Sequence, residues 1–269
     1  MTTPGAGTTV FDAPGRQPKR IVSLVPSLTE TVVWLGLLDR LVGRTRYCVE
    51  PAGTIEVVET VGGTKNPDIS RICELRPDLV IVNKEENRRE DAEALAEAGI
   101  AVHVTHPRTV VAAADMIEEL GQVLAAPRRA RSLVSRIRRE LEKAALATAV
   151  RRRPRAFCPI WRNPWMTFHD RTYVGDMLVS AGFENVFGNG AATDFFEVTL
   201  EQVVAHEPDV IVLPDEPYVF ARKHGEELRT HGLKGEIYYV DGRDLSWYGP
   251  RVPSALARLL TITREISRA

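Results

Sequence analysis

The sequence predicts an α/β protein: two Rossmann-like lobes with mostly parallel sheets, joined by one long backbone α-helix, with a ligand cleft between the lobes. Three observations carry that fold class. First, the chain states one unit twice: residues 69–86 read ISRICELRPDLVIVNKEE and residues 200–217 read LEQVVAHEPDVIVLPDEP. Aligning Pro77 with Pro208 sets Asp78 on Asp209, Leu79-Val80-Ile81-Val82 on Val210-Ile211-Val212-Leu213, and Glu85 on Glu216. Second, each copy is a short amphipathic helix, a Pro-Asp break, a β-branched run too short for a helix, and a polar loop. That is how a helix feeds a buried parallel strand. Third, Leu133, Val134, Ile137, Leu141, Ala144 and Ala145 recur between the copies at three- and four-residue steps. They form one apolar stripe on a helix that Pro127 opens. At 1.5 Å per residue this helix is roughly 34 Å long, a rigid connector and not a flexible linker. Ligands of open α/β sheets bind at the carboxyl ends of the strands, so the duplication predicts a cleft lined by loops of both copies.

Residues 1–19, rich in Gly, Pro and Thr, read as a mobile arm. The organisation that follows is an N-terminal lobe over 20–126, the connecting helix over 127–150 and a C-terminal lobe over 151–269. Residues 21–25 form a buried strand that Pro26-Ser27 ends. Ser27 or Thr29 then caps a helix to about residue 37, with Gly36 near its end. A second strand over 41–44 leads into the loop Thr45-Arg46-Tyr47-Cys48, and Val61-Gly62-Gly63-Thr64-Lys65 is a further strand-to-loop turn. After the first repeat come a helix over about 89–98 closed by Gly99, a strand over 100–105 and a helix over about 110–124. The second lobe opens with a strand over 155–160 and the loop Trp161-Arg162-Asn163-Pro164-Trp165. A helix over about 173–181 and a turn at Glu184-Asn185 precede the second repeat. A helix after Glu216-Pro217, a strand over 237–240, a loop over 241–250 and a closing helix over about 252–266 complete the chain.

Composition narrows the function. Hydrophobic content of 44% and charged content of 26% are those of an ordinary globular protein, and a net charge of −1 gives no global pull toward nucleic acid or membrane. No segment approaches eighteen consecutive apolar residues, so membrane insertion is not expected. The opening MTTPGAGTTVFDAPGRQPKR lacks the basic start and apolar run of an export signal. Cys48, Cys73 and Cys158 show no metal-type spacing and read as reduced thiols, which together place the protein in the cytoplasm. Between residues 127 and 155 eleven Lys and Arg face only Glu140 and Glu142, either a solvated helix face or a docking surface for an acidic partner. No nucleophile elbow, zinc-protease motif, Walker loop or dinucleotide fingerprint occurs, so the chain is expected not to be an enzyme.

The segments Ile21-Val22-Ser23-Leu24-Val25-Pro26-Ser27-Leu28-Thr29-Glu30, Leu75-Arg76-Pro77-Asp78-Leu79-Val80-Ile81, Gly182-Phe183-Glu184-Asn185-Val186-Phe187 and Gly249-Pro250-Arg251 occur in that order from about residue 20 to 266. The chain thereby resembles the helical-backbone metal receptors, the periplasmic binding proteins that carry cobalamin, haem, siderophores and other metal chelates. The resemblance implies a non-catalytic protein that binds a cobalamin-like corrinoid or another metal chelate, with no catalytic cofactor and no nucleic acid partner. The alternatives are the substrate-binding component of an ABC importer for siderophore or haem iron, and an enzyme acting on a metallated tetrapyrrole cofactor. Exported members of the family dock on a permease through one glutamate per lobe. Glu201 occupies that position in the second lobe, but Ser70 occupies it in the first. With the missing leader, this implies a cytoplasmic-looking relative and argues against ABC permease docking.

The strand-end loops supply the candidate ligand-binding residues: Tyr47, Lys65, Asn83, Lys84 and Glu85 from the first lobe. From the second come Trp161, Arg162, Trp165, Phe195, Glu216, Trp247 and Tyr248. Trp161, Trp165 and Trp247 sit in predicted loops, where a planar macrocycle such as a corrin accounts for all three; plugging the lobe's own core is the alternative. The resemblance sets Tyr47 and Phe195 where cobalamin-binding members present aromatic contacts, and Thr64 and Asn83 where those members carry tryptophans. Lys65, Lys84, Arg46 and Arg162 suit phosphate or carboxylate groups on a ligand. Salt bridges to Glu85, Glu86, Asp215 or Glu216 would serve them equally. Cys48 and His169 are the candidates for direct or axial metal ligation. His206 and Cys73 read as structural, His224 and His231 as surface residues.

Overall fold

The computed structural model describes residues 9–11, 17–189 and 193–266. The chain divides into two compact units, Met1–Pro107 with Ala113–Ser135 and Tyr248–Pro250, and Arg108–Ala112 with Arg136–Trp247 and Arg251–Ala269.

The first unit carries strands β1 (Thr9–Phe11), β2 (Ile21–Ser23), β3 (Leu41–Arg44), β4 (Leu79–Asn83) and β5 (Val102–Thr105) in the order β1-β5-β4-β2-β3. Every pairing is parallel except that of β1, which runs antiparallel on β5 with Thr9 opposite Val104 and Phe11 opposite Val102. Part of the segment expected to be a mobile arm is thus an edge strand; residues 1–8 and 12–16 lie outside the described residues. The helices are α1 (Pro26–Trp34), α2 (Ile69–Leu75), α3 (Arg89–Glu97) and, from Ala113 onward, α4 (Val110–Val123). Val22, Leu24, Ile72, Val80, Val82, Leu95 and Val102 form one buried core. Helix α1 starts one residue earlier than the expected Ser27 cap, on Pro26, with Val25 as its uncapped N-cap. Proline needs no donor there and its fixed φ suits the first turn. The hydroxyls turn inward instead, Thr29 Oγ1 donating to the Val25 carbonyl at 2.9 Å and Thr31 Oγ1 to that of Ser27 at 2.8 Å.

The predicted long helix is α5 (Pro127–Thr148), and the division between units falls inside it, after Ser135. Of its expected stripe Leu133, Val134, Ile137 and Ala144 are buried, joined by Ala130, whereas Leu141 is half-buried and Ala145 is exposed at the edge of the stripe. The second unit holds β6 (Arg155–Phe157), β7 (Met166–Phe168), α6 (Tyr173–Ser180), β8 (Glu184–Asn185), β9 (Phe195–Glu197), α7 (Leu200–Ala205), β10 (Val210–Pro214), α8 (Arg222–Thr230), β11 (Glu236–Val240), α9 (Arg243–Ser246) and α10 (Val252–Ile266). Its main sheet is parallel in the order β11-β10-β6-β8, and β7 pairs antiparallel with β9 apart from it. The turn expected at Glu184-Asn185 is therefore a short strand, and the loop expected over 241–250 contains α9.

Both repeats fold alike. Asp68 caps α2 by accepting from Arg71 N at 2.9 Å, and Thr199 closes a capping box with Gln202 on α7. Each connection to the strand passes through a left-handed residue before the proline, Arg76 with φ 47° and Glu207 with φ 45°. The aspartate that follows then grips the start of the adjacent strand. Asp78 Oδ2 accepts from Lys19 N at 2.7 Å and Arg20 N at 2.9 Å, leading into β2. Asp209 Oδ2 accepts from Arg155 N at 2.8 Å, at the head of β6. The Pro-Asp pair is thus a device that stops a helix and satisfies the first donors of a neighbouring strand. All five residues of β4 and of β10 are buried.

Candidate ligand-binding site

In the first unit the segments that follow β2, β3, β4 and β5 are tied together by amides. Asn83 is buried; its Oδ1 accepts from Glu85 N at 2.8 Å and Glu86 N at 3.3 Å, and its Nδ2 lies 3.2 Å from Thr105 Oγ1 and 3.4 Å from the Tyr248 hydroxyl. Asn87, which sequence reasoning did not single out, accepts from Asn83 N at 2.8 Å and donates to the carbonyls of Leu24 and Thr64 at 3.1 and 3.0 Å. Lys65 Nζ donates to the Glu85 carbonyl at 2.7 Å, and Glu85 Oε1 meets His106 Nε2 at 3.3 Å. Asn83, Lys65, Glu85 and Tyr248, expected at the ligand, therefore hold the loop in shape. Lys84 is exposed, and Tyr47, beside the Arg46 guanidinium, is 55% exposed.

Cys48 lies within this frame but is sealed. Thr29 Oγ1 and Thr45 Oγ1 each lie 3.1 Å from its Sγ, and burial pushes the thiol up, away from the thiolate that would ligate a metal. Among the described residues no three His, Cys, Asp or Glu side chains gather as a metal site.

The second unit is aromatic where the first is polar. After β6 and β10, Trp161 meets Tyr218 edge-on with ring centroids 5.5 Å apart, and Trp165 stacks on Phe220 at 5.7 Å and 10°. Tyr218 tilts over Phe220 at 4.8 Å. Trp161 is 43% exposed, and Trp165, Tyr218 and Phe195 are half-buried. Arg162 is clamped to Glu227 of α8 by two bonds of 2.8 and 2.9 Å, with its guanidinium 5.9 Å from the Trp165 ring centre. It fixes the tryptophan loop and is not a free cation.

His224, expected at the surface, is buried under this shelf. Its Nδ1 accepts from Ala221 N at 2.9 Å and its Nε2 lies 3.4 Å from the Tyr218 hydroxyl. Burial, then Lys223 and Arg162, pull its pKa down. The signal was the position three residues after an uncapped helix start, where a side-chain acceptor is needed.

Trp247 does not join the shelf. It is 5% exposed, donates from Nε1 to Glu216 Oε1 at 2.9 Å, and has Arg243 and Arg251 over its ring at 5.9 and 5.2 Å. Of the two readings for the tryptophans, own-lobe packing describes Trp247, and Glu216 is its partner. His169 is buried, with Nδ1 accepting from Arg171 N at 3.0 Å. Its Nε2 faces Asp194 Oδ1 at 3.4 Å without hydrogen-bond alignment, and Arg108 holds that carboxylate through two 2.7 Å bonds. Glu201 is exposed in the first turn of α7, and bonding to its own backbone N–H and to Thr199 keeps its carboxyl below the usual range. Ser70 is exposed on α2.

Two mostly parallel α/β sheets with loops gathered at their strand ends are the architecture of a two-lobed binding protein. The chain belongs to the periplasmic binding protein family, whose model matches residues 21–227. A vitamin B12-binding protein of Vibrio parahaemolyticus is 29% identical over 195 residues, 72% of this chain and 70% of the relative. Another from Photorhabdus laumondii is 27% identical over 196 residues, 73% and 70% of the two chains. Among solved structures, the periplasmic vitamin B12 binding protein BtuF of Vibrio cholerae superposes with a TM-score of 0.79 at 23% identity, covering 94% of this chain and 99% of that one. The periplasmic haem-binding protein RhuT of Roseiflexus sp. RS-1 gives 0.77 at 22%, covering 93% and 99%. These likenesses bear out the two-lobe fold, and the relatives are binding proteins, not enzymes.

They also overturn the cytoplasmic placement, because the family and the matched structures are periplasmic. The thiols never discriminated: Cys48 and Cys158 are buried and unpaired, a state open to a cysteine in either compartment.

Proposed function

We propose that the protein is a periplasmic receptor for a cobalamin-like corrinoid or another metal chelate, bound without turnover. The observation that carries the reading is the aromatic shelf of the second unit. Trp161 is a large ring left substantially exposed, yet held in place by Tyr218 and by the Arg162–Glu227 clamp beneath its loop. A rigid exposed aromatic loses little entropy on binding and suits a flat, largely apolar ligand. The names of the curated relatives support cobalamin as the first ligand to try.

The test is fluorescence titration with cobalamin, haem and a ferric siderophore. One of them quenches tryptophan emission saturably, and Trp161→Ala weakens that ligand by about 2 kcal/mol, roughly thirtyfold in Kd. No saturable quenching by any of the three overturns the reading.

For a permease partner, the same proposal leaves one acidic docking side chain, Glu201, with Ser70 in the corresponding place on the first unit. Glu201→Gln then abolishes any stimulation of a reconstituted ABC permease, whereas Ser70→Glu raises it; the reverse pattern rejects this assignment.

A further inference from the structure

We propose that the solvent face of helix α5 docks on an anionic phospholipid surface, independently of the chelate. The helix buries Ala130, Leu133, Val134, Ile137 and Ala144 on one side. At 100° per residue, Arg128, Ser132, Arg139 and Leu146 fall in line on the other, flanked by Arg131 and Arg136, and all are exposed. From Arg128 to Leu146 this line runs about 27 Å. Its charge is lopsided: Lys143 is paired with Glu140 at 2.7 Å, and Glu142 is the other acidic residue of the helix.

The apolar side chains on the same face decide the kind of partner. Leu146 is 71% exposed and Val150, just past the helix end, 93%. At the opposite end Arg128, Arg129, Ser132 and the half-buried Trp34 line an open hollow of about 640 Å³, and Arg129 Nη1 donates to the Trp34 carbonyl at 3.3 Å. Arginines alone would suit any polyanion. Arginines followed along the helix by an exposed leucine and valine, with a tryptophan beside their other end, suit a surface that is anionic outside and apolar a few ångströms deeper, which a lipid headgroup layer is. With a net charge of −1 the chain has no general affinity for anions, so the attraction is confined to this face.

The test is flotation of the full chain with vesicles of phosphatidylcholine alone or of an equal mixture with phosphatidylglycerol, at low and high salt. The protein floats with the anionic vesicles only, and salt releases it. Combining Arg128→Gln, Arg131→Gln and Arg139→Gln lowers partitioning about tenfold or more. Combining Leu146→Ser and Val150→Ser lowers it at least about threefold at unchanged charge. Circular dichroism melting confirms that both variants are folded. Absence of flotation, or a triple variant that floats like the wild type, overturns the proposal. A serine variant that floats like the wild type overturns the apolar half of the proposal and reduces the face to a general polyanion site.

Discussion

The two copies of the repeat are alike until their strands end and unlike immediately afterwards. Each has a side-chain cap, a left-handed residue before proline, an aspartate gripping the next strand and five buried strand residues. Beyond Asn83 the first copy knots itself with two asparagines. Beyond Pro214 the second runs into Tyr218 and Phe220 and builds an aromatic shelf. The shared part is the part in which backbone donors must be satisfied inside the fold, where few solutions exist. The loops answer only to solvent and ligand, so the same frame carries a polar exit in one unit and an aromatic exit in the other.

The largest expected effect breaks the polar exit. Asn87→Ala leaves Asn83 N and the carbonyls of Leu24 and Thr64 without partners, and costs about 3 kcal/mol of stability by urea unfolding. A cost below about 1 kcal/mol would mean that the knot does not hold the loop. Next comes the aromatic exit: Trp165→Ala removes the Phe220 stack and one wall of the shelf, lowering stability by about 2–3 kcal/mol. It also weakens the ligand proposed for the shelf at least about threefold in Kd; unchanged binding would show that the shelf does not meet the ligand. Asp78→Ala and Asp209→Ala, made in the shared part, should each cost about 1–2 kcal/mol. Unequal costs beyond that range would show that the two frames are not equivalent.

The smallest effect concerns pH. His103 is buried on β5 with neither ring nitrogen partnered, and burial lowers its pKa. Below about pH 6.5 the unfolded chain takes up a proton on this ring before the folded one does, so stability falls as pH drops through that range. His103→Leu flattens the profile of melting temperature between pH 7 and 5. In the second unit burial raises the carboxyls of Asp170 and Asp176. There the folded state binds protons first, and stability is gained as pH falls through the raised values toward about 4. Asp176→Asn removes part of that gain, and a profile unchanged at low pH would contradict it.

Sequence periodicity revealed the repeats, α5 with its buried stripe and most helices to within a residue or two, because each is a local pattern. It did not reveal β7 pairing with β9, where Thr167 lies opposite Phe196, since an antiparallel match across almost thirty residues leaves no local period. Helix α8 buries only His224, Gly225 and Leu228, so its sequence looks like surface. In the site, residue types identified the loops but not the employment of each side chain. Arg162 met Glu227, Glu216 met Trp247 and Asn83 met its own loop, partners that only the fold brings within reach.

One consequence follows from β1. The strand Thr9–Phe11 occupies the outer side of β5, whose ladder groups it takes up by antiparallel pairing. A version of the protein trimmed to start at Gln17 would bare Val102–Thr105, a short β-branched edge with open hydrogen-bonding groups. Such an edge invites pairing with another molecule. The trimmed protein should retain its fold yet self-associate with rising concentration in light scattering, and placing a lysine at Val104 should suppress that aggregation. On that outcome a stretch read as a mobile arm serves as a solubility guard.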